Sequence, residues 1–149
     1  MITIRTGSAV DNYDKIAHLI RENWEESGSG GLGLALEINV ATFRQVEKNR
    51  NLFTLLALDG DEIIGYSINF ITLDPHASGD TRAMNSAIFV TKSKRCTAAG
   101  LKLICETERE AMRLGASVMT WESQSEAGLA KILEQMQYTD KRVTYSKRL

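Results

Sequence analysis

Apolar and polar residues alternate from Ile2 to Arg5, which predicts a short first strand. The period then changes. Tyr13, Ile16, Ala17, Ile20 and Trp24 recur at helical spacing and share one stripe. Ser8-Ala-Val-Asp11, just upstream, has the form of a capping box, in which a hydroxyl and a carboxylate satisfy free first-turn amides. Asn39 is placed to cap a second, shorter helix carrying Val40, Phe43 and Val46. Leu52 to Leu58 and Ile63 to Thr72 read as strands joined by Asp59-Gly60-Asp61-Glu62, since Gly accepts the positive φ of a tight hairpin turn. Ile64, Tyr66, Ile68 and Phe70 are expected to line one face of the second of these strands.

Residues 73–81 form a polar turn holding Pro75, and Ala83 to Thr91 is a further strand candidate. A short basic loop leads into a helix that runs to about Leu114, with Leu101, Ile104, Ala111 and Met112 expected to face inward and Gly115 as its cap. Ala116 to Glu122 reads as a strand. Ser123-x-x-Glu126 is a second capping box, and Leu129, Ile132, Leu133 and Met136 form the stripe of a last helix. Tyr138 to Leu149 alternates enough to predict a final strand. The order β-α-α-β-β-β-α-β-α-β predicts one α/β domain over residues 1–149, a mixed sheet with helices on both faces.

Composition narrows the function classes. The chain has 149 residues, one domain's length, and its formal net charge of -1 lacks the basic footprint of a nucleic-acid binder. No apolar run approaches the ~20 residues that span a bilayer, and no charged segment with an apolar stretch opens the chain as a secretory signal would. Cys96 and Cys105 are not expected to pair, and no metal-ligand spacing stands out. These features predict a cytoplasmic, reduced protein without membrane or nucleic-acid partners.

The stretch from Ala87 to Gly115 carries the chemistry. It reads as strand, tight cationic loop, then a long helix opening on small residues: Arg95-Cys96-Thr97-Ala98-Ala99-Gly100-Leu101. Amides exposed at a helix N-terminus, with the positive end of the helix dipole behind them, suit a phosphate or pyrophosphate. Ala98 and Gly100 let an anion approach the backbone, and Arg95, Lys92 and Lys94 add positive charge.

This segment resembles the acyl-CoA signature of the GNAT acetyltransferases, in which Arg or Gln is followed by x-x-Gly-x-Gly/Ala. Arg95, Ala98 and Gly100 fill the slots, and Val90 stands five residues upstream at the strand end. The likeness extends along nearly the whole chain, through IRTGSAVD, the LLALDGDEIIGYSINF hairpin and the aromatic Tyr138. It implies acetyl-CoA as co-substrate and direct transfer of the acetyl group to the primary amine of a small molecule or peptide. It also implies that the backbone of Ile88, Phe89 and Val90 binds the pantetheine arm, that the strand carrying them splays from its neighbour, and that a homodimer is possible. Where the family often has Asn and an acidic Tyr near its last helix, this chain has Glu126 and Leu133. The alternative is a GNAT-fold module that binds acyl-CoA or a protein partner without transfer.

Other residues compete for roles. Glu122, ending a strand beside the expected thioester, is the first candidate for general base, and His76 is an alternative. Tyr138 and Tyr145 are the phenols that could supply a proton, and Ser125 is a hydroxyl that could substitute. Gly28-Ser-Gly-Gly-Leu-Gly33 spells a dinucleotide-loop pattern but follows a helix rather than a strand, so it reads as a connection bordering the acceptor pocket. Cys96 reads as a small filler, and Lys141, Arg142, Lys147 and Arg148 as a solvated face.

Overall fold

The computed structural model describes residues 1–27, 34–77, 79–123 and 128–149. Five strands form one sheet in sequence order: β1 (Ile2–Gly7), β2 (Leu52–Asp59), β3 (Glu62–Leu73), β4 (Thr81–Val90) and β5 (Ala116–Thr120). Successive pairs from β1 to β4 are antiparallel, and β4 pairs with β5 in parallel. The helices are α1 (Tyr13–Glu26), α2 (Val40–Lys48), α3 (Ala99–Arg113) and α4 (Gly128–Gln135). A single 3-10 turn, Lys92–Lys94, follows β4.

The alternation of β2 divides the core into two layers. Leu52, Leu56 and Leu58 join Tyr66, Ile68 and Phe89 on one face, beneath Ile16 and Leu19 of α1, with Phe43 and Val46 of α2 packed alongside. Phe53, Leu55 and Ala57 join Ile71, Ala83 and Val90 on the other face, under Ala99, Leu103 and Ala111 of α3. Helices therefore cover both faces of a mixed sheet, as the order of elements predicts.

Several local expectations hold at the level of single bonds. Asn39 Oδ1 accepts from the Thr42 amide at 3.0 Å and caps α2. Gly60, at φ 62°, makes the two-residue turn between β2 and β3, and Gly115, at φ 94°, follows α3 with its amide bonded to Met112 O.

Others are corrected. Ser8 Oγ accepts from the Asp11 amide at 3.0 Å, but the carboxylate of Asp11 faces Arg44 and α1 begins only at Tyr13, so the reciprocal box is not formed. Ile64 leaves the face of Tyr66 and Ile68 for the α3 layer, because a bulge opposite Ala57 and Leu58 inserts it as the extra residue of β3. The buried stripe of α3 is Ala99, Leu103, Ile104, Thr107 and Ala111; Leu101 and Met112 are 50% and 64% exposed. A small residue and a threonine occupy stripe positions that a search for large apolar side chains passes over.

Residues 138–149 form no ladder with the sheet, so the expected last strand is absent. Val143, Tyr145 and Leu149 are exposed there, and lysines interleave with them on the same parity. Neither face of the segment offers a continuous apolar row to bury, and alternation without pairing makes no strand. The glycine-rich stretch at 28–33 and Ser125 and Glu126 lie outside the described residues.

One close approach fixes β3 against β4. A Cβ placed on Gly65 would stand 2.5 Å from Phe89 O and 3.1 Å from a methyl of Val90. Gly65→Ala should therefore lower stability by about 1–3 kcal/mol through overpacking. Thermal unfolding checks this: an unchanged melting temperature would mean that the two strands separate there at no cost.

Candidate active site

The parallel ladder of β4 and β5 is short. It runs from Thr81 opposite Ala116 to Met84 opposite Thr120 and then stops. β4 continues to Val90 while still paired with β3. Its residues 85–90 thus keep one edge with no strand beside it among the described residues. The Thr91 amide donates to Ile64 O at 2.9 Å. The alternation of an antiparallel ladder then turns the backbone groups of Ile88 and Val90 toward the open side and those of Phe89 toward β3.

The chain leaves β4 through Thr91 to Ala98 and enters α3 at the mouth of this opening. Thr97 organises the junction: its hydroxyl donates to Lys94 O at 2.5 Å and accepts from the Ala99 amide at 3.2 Å. The amides of Gly100 and Leu101 make no hydrogen bond among the described residues, as expected of a first helical turn. A Cβ built on Gly100 meets nothing within 4 Å, so a side chain there would enter open space. Cys96 is exposed beside them.

Arg95 is bound differently from the free phosphate donor that the sequence suggests. Its Nε donates to Val90 O at 2.8 Å, a terminal nitrogen donates to Glu26 at 2.6 Å, and the guanidinium lies 5.1 Å from the centre of the Phe89 ring. It braces the end of β4 against the end of α1. Lys92 also faces Glu26, at 3.4 Å, and Lys94 holds Asp59 in the hairpin at 2.7 Å. Burial raises the pKa of Glu26, but the hydrogen bonds and charges of Arg95 and Lys92 outweigh it and hold the carboxyl below its ordinary value. The loop's three cations are thus matched by two carboxylates, while the amides of Gly100 and Leu101 keep no partner among the described residues.

The candidate catalytic residues are spread around the opening. Glu122 is exposed, two residues beyond the last β5 residue and beside the point where the strands part. Tyr138 is half-buried on the outer side of α3: its hydroxyl donates to Glu108 at 2.5 Å and accepts from Trp121 Nε1 at 2.8 Å. Burial and the neighbouring carboxylate push this phenol well above its ordinary value. Leu133 is buried, a core residue of α4. His76 is exposed in the turn before β4, at the end of that strand opposite the loop, and Tyr145 is exposed in the terminal segment.

A set of residues that periodicity did not single out lies under α3. Ser67, Asn69, Asn85 and Thr107 are buried and hydrogen-bonded to one another. The signal available in the sequence is the polar pair Asn85-Ser86 interrupting an apolar strand. Two surface hollows, of about 280 and 400 Å³, lie along β1 and α3 away from this opening; the smaller is lined by Ile4, Arg5, Thr6 and the paired charges of α3.

The Glu26 bridge has a measurable pH signature. Its folded pKa lies below the unfolded one, so its stabilisation is complete above the ordinary 4.5 and disappears as pH falls through the lower folded value. Glu26→Gln should lose stability at pH 7 and flatten the acid limb of a melting-temperature profile. An acid limb identical to that of the native chain would assign the titration to other carboxylates.

No protein-family model and no curated protein matches the sequence. Solved structures do. An aminoglycoside acetyltransferase from an uncultured soil metagenomic sample, in complex with sisomicin, superposes with a TM-score of 0.77 at 12% identity, covering 99% of this chain and 95% of that one. A ribosomal-protein-alanine N-acetyltransferase from Brucella melitensis gives 0.74 at 15% identity, over 100% and 99% of the two chains. The aminoglycoside acetyltransferase AAC(6')-Iy, in complex with a CoA-containing bisubstrate analogue, gives 0.71 at 17% identity with 100% and 99% coverage. The chain therefore shares the fold of these acetyltransferases.

Proposed function

We propose that this protein transfers an acetyl group from acetyl-CoA to a primary amine of a small molecule or peptide. The observation that carries the reading is the free edge of β4 over residues 85–90, opening beside the unbonded amides of Gly100 and Leu101. A thioester with a long amide-bearing arm and a pyrophosphate needs those two features together: an open strand edge for the arm's amides and a helix N-terminus for the anion. The acetyltransferases of the same fold support this choice of donor.

Acetyl-CoA supplies the activated acyl group. In the proposed arrangement the amides of Ala98, Gly100 and Leu101 hold the pyrophosphate, with Arg95, Cys96, Thr97 and Ala99 shaping the turn that presents them. The backbone of Ile88 and Val90 receives the arm, and the unbonded Val90 amide is the donor for negative charge that grows on the acyl oxygen. Phe89 serves from behind, through its stack on Arg95. Glu122 acts as general base, taking a proton from the attacking amine directly or through one water. Tyr138, whose proton is engaged by Glu108, anchors Trp121 and hence the segment carrying Glu122. The departing thiolate then takes its proton from solvent.

Two measurements test this reading. Gly100→Glu should abolish CoA binding by calorimetry while leaving the melting temperature nearly unchanged, because the new carboxylate enters open space where the pyrophosphate is placed. Retained affinity would locate the anion elsewhere. In a CoA-release assay against a panel of amines, Glu122→Gln should lower turnover roughly 10²-fold with CoA affinity intact, and Tyr138→Phe should have a smaller effect. A fully active Glu122→Gln with an unaltered acid limb in its pH–rate profile would remove Glu122 from the mechanism.

A further inference from the structure

Register between β3 and β4 passes from Ile68 opposite Ala87 to Asn69 opposite Asn85. Ser86 is therefore an extra residue, a bulge placed immediately after the last β4–β5 pair, Met84 with Thr120. A bulge locally disrupts the ladder, and here it does so beneath α3. The side-chain amide of Asn85 lies across it. Its Nδ2 lies 3.3 Å from Ile68 O on the neighbouring strand and 3.2 Å from Ala87 O across the bulge. The same nitrogen lies 2.8 Å from Asn69 Oδ1 and 3.2 Å from Ser67 Oγ, so its two hydrogens are shared among four acceptors. The residue is 4% exposed, so these contacts are unavailable to solvent.

We infer that Asn85 is a positioning residue for the donor site: by bridging β3 and β4 at the bulge, it fixes the register in which Ile88 and Val90 turn their backbone toward the open side of β4. The inference rests on the donor site proposed above. The bulge decides which residues face where. Ala83 and Asn85 face α3, and after the extra residue Ile88 and Val90 do so, while Ala87 and Phe89 face α1. Removing the bulge shifts the register by one residue and exchanges the faces of everything beyond it. Phe89 would then leave Arg95, and Val90 would lose the carbonyl contact that ties the loop to the strand end. Thr107 reaches the same cluster from α3 without touching the bulge: its hydroxyl lies 3.0 Å from Ser67 Oγ and donates to Leu103 O at 2.7 Å.

That difference supplies the control. Asn85→Leu, Asn85→Ser and Thr107→Val are compared by melting temperature, by amide hydrogen exchange over residues 86–90, and by calorimetric titration with CoA. All three variants should melt lower. The Asn85 variants should raise exchange at 86–90 and weaken CoA binding by roughly tenfold, whereas Thr107→Val should leave both within about twofold, on the scale of a single hydrogen bond. If Asn85→Leu fails to fold, Asn85→Ser carries the same comparison. Wild-type exchange and CoA affinity in a folded Asn85 variant would overturn the inference, and so would equal losses in Thr107→Val, which would make the effect general loosening. A native chain that binds no CoA would refute the proposed donor site instead, and the exchange data alone would still decide whether Asn85 holds the bulge.

Discussion

β4 is paired with β3 over its full length but with β5 over only four register positions, and the candidate site exists because of that mismatch. A strand in mid-sheet normally spends its amides and carbonyls on both neighbours. Where one neighbour diverges, those groups must find solvent, a side chain or a ligand. In this protein the divergence coincides with a bulge, so the strand that parts from β5 also changes which residues face each layer. The buried amide of Asn85 lies across that bulge, within reach of the carbonyls of Ile68 and Ala87.

Charge is organised around the same opening in an economical way. Three cations sit in eight residues of loop, yet each faces a carboxylate: Arg95 and Lys92 face Glu26, and Lys94 faces Asp59. The bridges join the loop to the end of α1 and to the β2–β3 hairpin, so the entry to α3 is braced from both sides. Exposed pairs of this kind contribute little stability individually. Their geometric effect is larger, because Arg95 also bonds the Val90 carbonyl and stacks on Phe89.

Tyr138 shows how a plausible acid becomes a support. Its phenol joins Glu108 of α3 to Trp121 just beyond β5, and its proton is committed to a carboxylate. A similar pairing places Asn23 of α1 on the hydroxyl of Tyr66, whose burial drives its pKa up to about 12. Both phenols lock elements that flank the sheet. Leu133 is a core residue of α4, and its environment is one of packing.

Local chemistry determined much of this protein from sequence alone. The Asp-Gly turn, the Asn39 cap, the Gly115 terminus, the element order through α4 and the loop before α3 all follow from interactions within a few residues. The motif around Arg95 to Gly100 located the helix entry for the same reason: small residues and a turn are local properties. Tertiary structure decided the rest. Ile64 changed face because a bulge reset a period that sequence assumes to be continuous, and α3 turned Thr107 rather than Leu101 inward, onto the hydroxyl of Ser67. The segment after Tyr138 had the alternation of a strand but found no edge to pair with. The role of Arg95 was fixed by Glu26, 69 positions away, and that of Asn85 by Ile68 and Ser67 on the adjacent strand. A side chain's type limits the bonds it can make, and only the folded neighbours decide which of them it does make.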